Sequence, residues 1–206
     1  MTDTTPSPVT VVLATGNAGK VREMQAMLAP LGYRVRPQSE FDFEQPPETG
    51  ETFIENAIIK ARAAAAATGL PAIADDSGLE VAALGGAPGV RSARYAGEHG
   101  DDAANNAALL QALDGQRQRQ ARFRCVCVCL RHASDPAPLI AQGVWPGRIM
   151  TEARGTQGFG YDPLFLPVGE QRTAAELPAE DKNRMSHRGQ AVQALVTQLR
   201  IEPLRG

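Results

Sequence analysis

One stretch of the chain, residues 52–76, constrains the fold more than any other. Thr52 and Glu55 have the spacing of a capping box, so we expect a helix to begin there. Alanine-rich sequence carries this helix to about Thr68, where a glycine and a proline end it. The run Ala72–Ala74 then predicts a short buried strand that ends at an acidic pair. A helix that leads directly into a buried strand is typical of a sheet covered by helices.

The rest of the chain alternates strand and helix early and pairs strands late. Val9–Ala14 is a β-branched strand, which a glycine loop and an amphipathic helix follow. Arg122–Arg131 and Leu139–Trp145 read as two strands separated by a turn. Helices are expected over Asp101–Leu113 and from about Ser186 to Arg200. We therefore expect an α/β protein with a mixed β-sheet.

Composition and charge argue against several classes of protein. The 206 residues are 43% hydrophobic and 21% charged, which is ordinary for a globular chain long enough to bury a core. A net charge of −2 argues against nucleic acid as the main partner, and no apolar run approaches the roughly 18 residues that cross a bilayer. Residues 1–8 lack a signal pattern. We expect them to be a disordered lead to a single domain over residues 9–206.

Three cysteines, Cys125, Cys127 and Cys129, occupy alternate positions of one apolar stretch. On a strand they would share one face, and their spacing fits neither a disulfide framework nor a zinc site. We therefore expect buried, reduced thiols and a cytoplasmic protein.

The loop after the first strand has the features of an anion site. Thr15–Lys20 contains two glycines that let the backbone approach an anion, and the next helix presents unpaired N–H groups at its N-terminus. Lys20 adds a positive charge, although the spacing of a P-loop is absent. The loop is either a phosphate-binding loop or a purely structural turn.

The acidic pair Asp75 and Asp76 is the strongest candidate for chemistry. Magnesium prefers carboxylate oxygens and commonly binds one or two of them together with substrate phosphates. Adjacent residues on a strand point to opposite sides, so both acids serve one site only if a turn at Ser77–Gly78 brings them round. The alternative is a turn with a capping aspartate. Glu48 is either a further metal ligand or an exposed acid, and Lys60 is by default a solvated lysine.

Two later segments contain residues suited to a nucleobase. Gly158–Pro163 places Phe159 between glycines, where its ring either stacks on a base or closes a turn in the core. His187 and Arg188 begin a helix, a position that normally favours acids, and either side chain could bind an anion or an exocyclic oxygen.

Together these motifs resemble the inosine-triphosphate/xanthosine-triphosphate pyrophosphatase family, in order from Val11 to Leu199. The matching segments are ATGNAGK, ETGETFIENAIIKA, PAIADDSGL, GAPGVRSARYAG, GFGYDPLF, AEL and KNRMSHRGQA. The resemblance implies an elongated mixed β-sheet flanked by helices, with two lobes, a central cleft and a homodimer. It also implies Mg²⁺-dependent hydrolysis of ITP, dITP and XTP to the nucleoside monophosphate and pyrophosphate.

The resemblance implies a role for each candidate residue. Asp76 would be the proton acceptor and a magnesium ligand. Glu48 and Asp75 would help to hold the metal, and Lys60 would contact phosphate. The remaining residues would bind the nucleotide: Thr15, Gly16, Asn17, Ala18, Gly19 and Lys20 at the triphosphate; Ser77, Phe159, Gly160, Tyr161 and Asp162 in the pocket; Lys182, His187 and Arg188 at the purine edge.

Two other functions stay open on the sequence. One is a pyrophosphatase of the similarly folded septum-associated family that acts on modified pyrimidine or 7-methylated nucleotides, against which the segment SHR argues. The other is a nucleotide-sensing or RNA-binding module without catalysis, which the retained acids disfavour.

Overall fold

The computed structural model describes residues 7–15, 18–97 and 100–204, without the side chains of Ala18 and Glu23. The strands in these residues are β1 (Val9–Leu13), β2 (Tyr33–Pro37), β3 (Ala72–Val81), β4 (Gln120–Leu130), β5 (Leu139–Ile149) and β6 (Phe165–Pro167). The α-helices are α1 (Ala18–Leu28), α2 (Phe53–Thr68), α3 (Asp102–Ala112), α4 (Ala179–Met185) and α5 (His187–Ile201).

The six strands form one sheet in the order β2-β1-β3-β4-β5-β6. Strand β1 pairs in parallel with both β2 and β3, whereas β5 and β6 are antiparallel. Parallel neighbours need a crossover connection, which α1 supplies between β1 and β2 and α2 supplies on the way to β3. A mixed sheet flanked by helices confirms the fold class that the sequence predicted.

The chain divides into two compact units. The first contains the residues up to Asp75 together with 126–141 and 192–206. Within it, α1 contacts β2 and α2 contacts β1. Helix α2 begins with the predicted capping box of Thr52 and Glu55 and ends at Gly69, whose φ of 66° is left-handed. Its buried alanines, spaced three and four residues apart, form the inner face of the helix.

The second unit contains residues 76–125 and 142–191 and has its own apolar core. Phe123 lies at the centre of an aromatic group, with its ring centroid 4.6 Å from that of Phe165. Trp145 packs against Phe165 at 5.3 Å. Leu109 and Leu113, from α3 and the residue after it, are fully buried in the same core. Helix α3 is thereby fixed to the unit that carries it.

Strand β3 is longer than the sequence predicted. The expected strand ended at Ala74 because Ser77–Gly78 resembled a turn, but β3 continues through both residues to Val81. Leu79 is fully buried, and its N–H donates to Ser92 Oγ at 2.8 Å. Burial of the apolar residues beyond Gly78 therefore keeps the chain extended, and the predicted turn is wrong.

The three cysteines lie buried in β4, and no disulfide joins these described residues. Burial raises the pKa of the Cys129 thiol to about 12. A thiol with so high a pKa stays protonated and unreactive, as the sequence pattern indicated. Among the described helices, none is long and apolar enough to span a membrane.

Candidate active site

The acidic pair lies within β3 rather than at its end. Asp75 and Asp76 are buried, with 6% and 8% of their surface exposed. Because consecutive residues of an extended strand point to opposite faces, the two carboxylates have different surroundings. The prediction that a turn would bring both round to one side is therefore wrong.

Asp75 is held by a lysine of the first helix. Lys20 Nζ lies 3.0 Å from Asp75 Oδ1 and 2.8 Å from Oδ2. Helix α1 begins at Ala18, so Lys20 is part of its first turn instead of the preceding loop. The N-terminus of this helix also carries a partial positive charge.

The remainder of the predicted phosphate loop is placed only in part. Thr15 is buried two residues after the end of β1, and its N–H donates to the Leu13 carbonyl at 2.8 Å. Ala18 and Gly19 supply backbone to the first turn of α1. Gly16 and Asn17 lie outside the described residues.

Lys60 and Glu48 form a second pair in the first unit. Lys60 Nζ donates to Glu48 Oε1 at 2.8 Å, and only 8% of the lysine side chain is exposed. The default prediction of a solvated lysine is wrong because Lys60 lies on the inner face of α2, three residues after Ala57 and four before Ala64. That spacing was the sequence signal for its burial. Glu48 is likewise an ion-pair partner instead of a simple surface acid.

The loop from Gly158 to Pro163 presents one aromatic ring and buries the other. Phe159 is 54% exposed, which excludes the alternative that its ring closes a turn in the core. Lys182 Nζ lies 5.1 Å and Arg188 Cζ 5.6 Å from the centroid of its ring, within cation–π range. Tyr161 is the buried aromatic residue, and its hydroxyl donates to the Ser92 carbonyl at 2.8 Å. Burial raises the pKa of Tyr161, which keeps the phenol protonated.

Asp162 ties this loop together. Its Oδ2 atom accepts a hydrogen bond from the Phe159 N–H at 2.9 Å and forms an ion pair with Lys182. Gly158 has a φ of +81°, and a Cβ atom there would overlap Asp162 Oδ2. The glycine is therefore required both by its backbone conformation and by the close approach of the carboxylate.

Helix α5 begins with the two predicted basic residues. His187 is buried and stacks on Phe123, with ring centroids 4.8 Å apart and planes inclined by 11°. Arg188 Nη2 donates to Ser77 Oγ at 3.2 Å. The second unit thus brings together Ser77, Phe159, Lys182 and Arg188, four residues that are widely separated in sequence.

Two residues near this loop were not predicted. Asp102 and Asn106 of α3 form hydrogen bonds to the backbone of Gly160. The sequence placed Asp102 only within the helix expected over Asp101–Leu113. Neither side chain belongs to a sequence motif with recognisable chemistry, so only their contacts reveal them.

Two of the residues expected to bind metal have the ligand type that a hard divalent cation prefers. Asp76 of the second unit and Glu48 of the first each offer carboxylate oxygens, which Mg²⁺ prefers over nitrogen or sulfur. No group of three or more His, Cys, Asp or Glu side chains suited to a metal occurs among residues 7–15, 18–97 and 100–204. Magnesium commonly needs only one or two carboxylates because substrate phosphates and water complete its coordination.

Fold and side chains together define an α/β protein with buried acids in an interior strand, lysines paired to carboxylates, and an exposed aromatic ring flanked by cations. In the second unit, the exposed ring with its flanking cations suits an anionic ligand that carries a planar ring. Comparison with known proteins makes the assignment specific. The chain belongs to the Ham1 family, whose model matches residues 11–198.

Similar proteins match along nearly their whole length. The chain is 59% identical over 191 residues to the dITP/XTP pyrophosphatase of Thioalkalivibrio sulfidiphilus, covering 92% of this chain and 97% of that protein. It is 58% identical over 192 residues to the dITP/XTP pyrophosphatase of Shigella flexneri, covering 92% and 98%. The solved structure of a HAM1 protein from Coxiella burnetii superposes with a TM-score of 0.90 at 52% identity, covering 94% of this chain and 99% of that chain.

Proposed function

We propose that this protein is a pyrophosphatase that hydrolyses the non-canonical purine nucleoside triphosphates dITP, XTP and ITP. The products are the nucleoside monophosphate and pyrophosphate, so the reaction removes deaminated purines from the nucleotide pool. The observation that carries the proposal is the match of 59% identity, over almost the full length of both chains, to a dITP/XTP pyrophosphatase. The arrangement of charged and aromatic side chains supports it.

The lysines of the first unit are suited to phosphate. The ammonium group of Lys20 is held in place by Asp75 and carries the positive charge that suits a phosphate oxygen. The same holds for Lys60, which is bonded to Glu48. We assign Thr15, Lys20 and the backbone of the first turn of α1 to the triphosphate, together with Gly16 and Asn17.

The exposed ring of Phe159 is suited to a purine base. Stacking of a base on an aromatic ring contributes about 1–3 kcal/mol. Gly160, Tyr161 and Asp162 hold the loop that carries the ring. Ser77 is assigned to the substrate because its hydroxyl accepts a hydrogen bond from Arg188, which lies beside the Phe159 ring.

Selectivity is assigned to donors near the purine edge. Lys182 and Arg188 both lie within cation–π range of Phe159, and His187 precedes Arg188 in the same helix. Donors aimed at a 6-oxo group would be left unpaired by the 6-amino group of ATP. A buried site donor without its acceptor discriminates strongly, by as much as about 10⁴–10⁵-fold where such a mismatch has been measured.

The chemical step is hydrolysis at the α-phosphorus. Asp76 accepts a proton from the attacking water, the new bond forms between water oxygen and α-phosphorus, and the bond to the α–β bridging oxygen breaks. General base catalysis of this kind contributes typically about 10²–10⁴-fold. Asp76 and Glu48 would hold Mg²⁺, which when bound neutralises the triphosphate and polarises the reacting phosphorus. Asp75 and Lys60 would support this centre.

We further infer that the protein acts in the cytoplasm as a homodimer, on a small-molecule nucleotide and not on nucleic acid or a membrane. The reduced, buried cysteines agree with a reducing compartment. Sedimentation of the full chain in solution tests the dimer directly.

A nucleotide panel tests the proposed activity. Initial rates are measured for dITP, XTP, ITP, ATP, GTP, UTP and 7-methyl-GTP while magnesium is titrated. Phosphate is detected with and without added inorganic pyrophosphatase. Phosphate should be detected only when inorganic pyrophosphatase is added. The hydrolysis of dITP, XTP and ITP should be far faster than that of ATP. Orthophosphate released without the added enzyme, or a preference for UTP or 7-methyl-GTP, would overturn the proposal.

A further inference from the structure

The backbone of Gly160 is bound by two side chains of α3. The Gly160 N–H donates to Asp102 Oδ2 at 2.6 Å, and Asn106 Nδ2 donates to the Gly160 carbonyl at 2.8 Å. Asp102 and Asn106 are four residues apart and therefore lie on the same face of the helix. We propose that this pair sets the orientation of the neighbouring Phe159 ring and so controls how tightly the purine base binds. The inference rests on the proposed function.

The two bonds act on consecutive peptide groups. The Gly160 N–H belongs to the peptide that joins it to Phe159, and its carbonyl belongs to the next peptide. The peptide before Phe159 is also fixed, because its N–H donates to Asp162 at 2.9 Å. Three successive peptide groups around the ring are thus bonded to side chains, two of them by residues of α3 and one by Asp162 of the loop itself. A segment flanked by glycines would otherwise have wide conformational freedom.

The Phe159 ring depends on this backbone support because little packs against it. The residue is 54% exposed, whereas the next aromatic residue, Tyr161, is 3% exposed. A buried ring is oriented by its neighbours, but an exposed ring takes its direction from its own backbone and rotamer. Orientation of Phe159 is therefore a property of the loop, and α3 holds the loop.

The contact with Gly160 requires the NH₂ donor of the Asn106 side chain. Its Nδ2 atom donates both to the Gly160 carbonyl and to the Asp102 carbonyl, each at 2.8 Å. The reverse amide orientation would place an oxygen against two carbonyl oxygens, so the NH₂ group must lie there. Aspartate at this position has nearly the same shape but, when ionised, cannot donate. The position of Asp102 needs only an acceptor, which an asparagine side chain also provides.

Helix α3 is a rigid support for this contact. Leu109 is fully buried in the core of the second unit. Asn105, which precedes Asn106 in the helix, is only 2% exposed. Its side chain accepts a hydrogen bond from the Ala96 N–H at 2.7 Å and donates one to the Ala93 carbonyl. The helix is consequently fixed independently of Gly160, and loss of the Asn106 contact should free the loop without unfolding the helix.

Steady-state kinetics with dITP test the proposal. The variants are Asn106→Ala and Asn106→Asp, which lose the donor, and Asp102→Ala and Asp102→Asn, of which only the second keeps an acceptor. Gln111→Ala, an exposed amide on the same helix, is the matched control. We expect the Asn106 variants and Asp102→Ala to raise KM about three- to tenfold, a part of the base-stacking contribution, with kcat changed less than twofold. Asp102→Asn and Gln111→Ala should resemble the unmodified protein.

A double-mutant cycle separates positioning from general destabilisation. In a Phe159→Ala background, Asn106→Ala should raise KM no further, because the ring through which it acts is gone. An equal rise in both backgrounds, or an unchanged KM in both Asn106 variants, would overturn the proposal.

Fluorescence tests the orientation of the ring independently of enzyme activity. In a Phe159→Trp variant, time-resolved fluorescence anisotropy reports local motion of the introduced indole, with Trp145 as a constant contribution. Adding Asn106→Ala should increase that motion, and an unchanged anisotropy decay would contradict the proposal. Failure of the unmodified protein to release pyrophosphate from dITP would instead overturn the proposed function.

Discussion

Lys20 donates hydrogen bonds to both carboxylate oxygens of Asp75, at 3.0 Å and 2.8 Å, across 55 residues of sequence. Only 4% of the Asp75 side chain is exposed. A buried carboxylate is costly unless a counter-charge and hydrogen bonds compensate for lost hydration. Lys20 therefore has a structural task in addition to the phosphate contact proposed for it.

Replacement of this lysine should lower both stability and activity. Lys20→Ala removes the ammonium group that pairs with this buried carboxylate, so we expect a loss of about 1–3 kcal/mol in the free energy of unfolding. Urea denaturation measures this loss. Arg22→Ala, an exposed cation on the same helix, is the control and should change stability by less than about 0.5 kcal/mol. Adding Asp75→Asn to Lys20→Ala should restore part of the stability. If Lys20→Ala were as stable as the control Arg22→Ala, the proposed role of the ion pair would be contradicted.

Asp76→Asn should abolish pyrophosphate release while the protein stays folded. The amide has the size of the carboxylate but can neither accept the proton nor bind a divalent cation as well, so kcat should fall at least about 100-fold. Coupled phosphate detection with dITP measures kcat, and circular dichroism checks the fold. Asp114→Asn, at an exposed position, should be unaffected. Normal turnover by Asp76→Asn would rule out its assignment.

Gly158→Ala and Gly160→Ala form a matched pair of variants. Both glycines have left-handed backbones, with φ of +81° and +61°, so each alanine costs about 1–2 kcal/mol in stability. A Cβ at Gly158 also overlaps the Asp162 carboxylate, whereas a Cβ at Gly160 meets nothing within 4 Å. Displacing the Asp162–Lys182 pair should reduce kcat/KM by up to about 100-fold in Gly158→Ala. Comparable activity in the two variants would show that this pair does not position the site.

The stability contributed by Asp135 should depend on pH. Hydrogen bonds from the Arg131 side chain, then from the backbone N–H groups of Arg131 and Ala137, hold the pKa of this carboxyl well below its usual range. A depressed folded pKa stabilises the protein above the unfolded pKa of about 3.9, and this stabilisation is lost as pH falls below that value.

Asp135→Asn should therefore be less stable by about 1–3 kcal/mol at pH 7 and should approach the unmodified protein near pH 2–3. Denaturant titration at several pH values, with Asp114→Asn as control, measures the difference. A difference in stability that does not change with pH would contradict the charge-dependent explanation.

Local signals in the sequence predicted much of the fold. The start of α2 at its capping box, its end at Gly69, and the start of α3 at Asp101 all agree with the structure. These features depend on hydrogen bonds between residues within about four positions of one another, so the sequence contains their cause. The strand β6 and the helix α4 were not predicted. With three and seven residues, these elements are too short to show a recognisable periodic pattern of hydrophobic residues.

The length of β3 was not predicted correctly from the local sequence. Ser77–Gly78 has the composition of a turn, yet the chain stays extended because Leu79 and Val81 are fully buried beyond it. Tertiary burial outweighs the weak local preference of two small residues. The same cause separates the two acids of the pair onto opposite faces of the strand.

The sequence by itself determined the ordered motifs and, through them, the family. It also determined the residue types suited to phosphate, base and metal, and the longer helices that carry most of them. Only the tertiary structure decided which charges pair. Lys60 meets Glu48 because α2 buries its inner face, and Asp102 meets Gly160 across 58 residues of chain. Such contacts depend on which surfaces pack together, and that information is not contained in the spacing of any single segment.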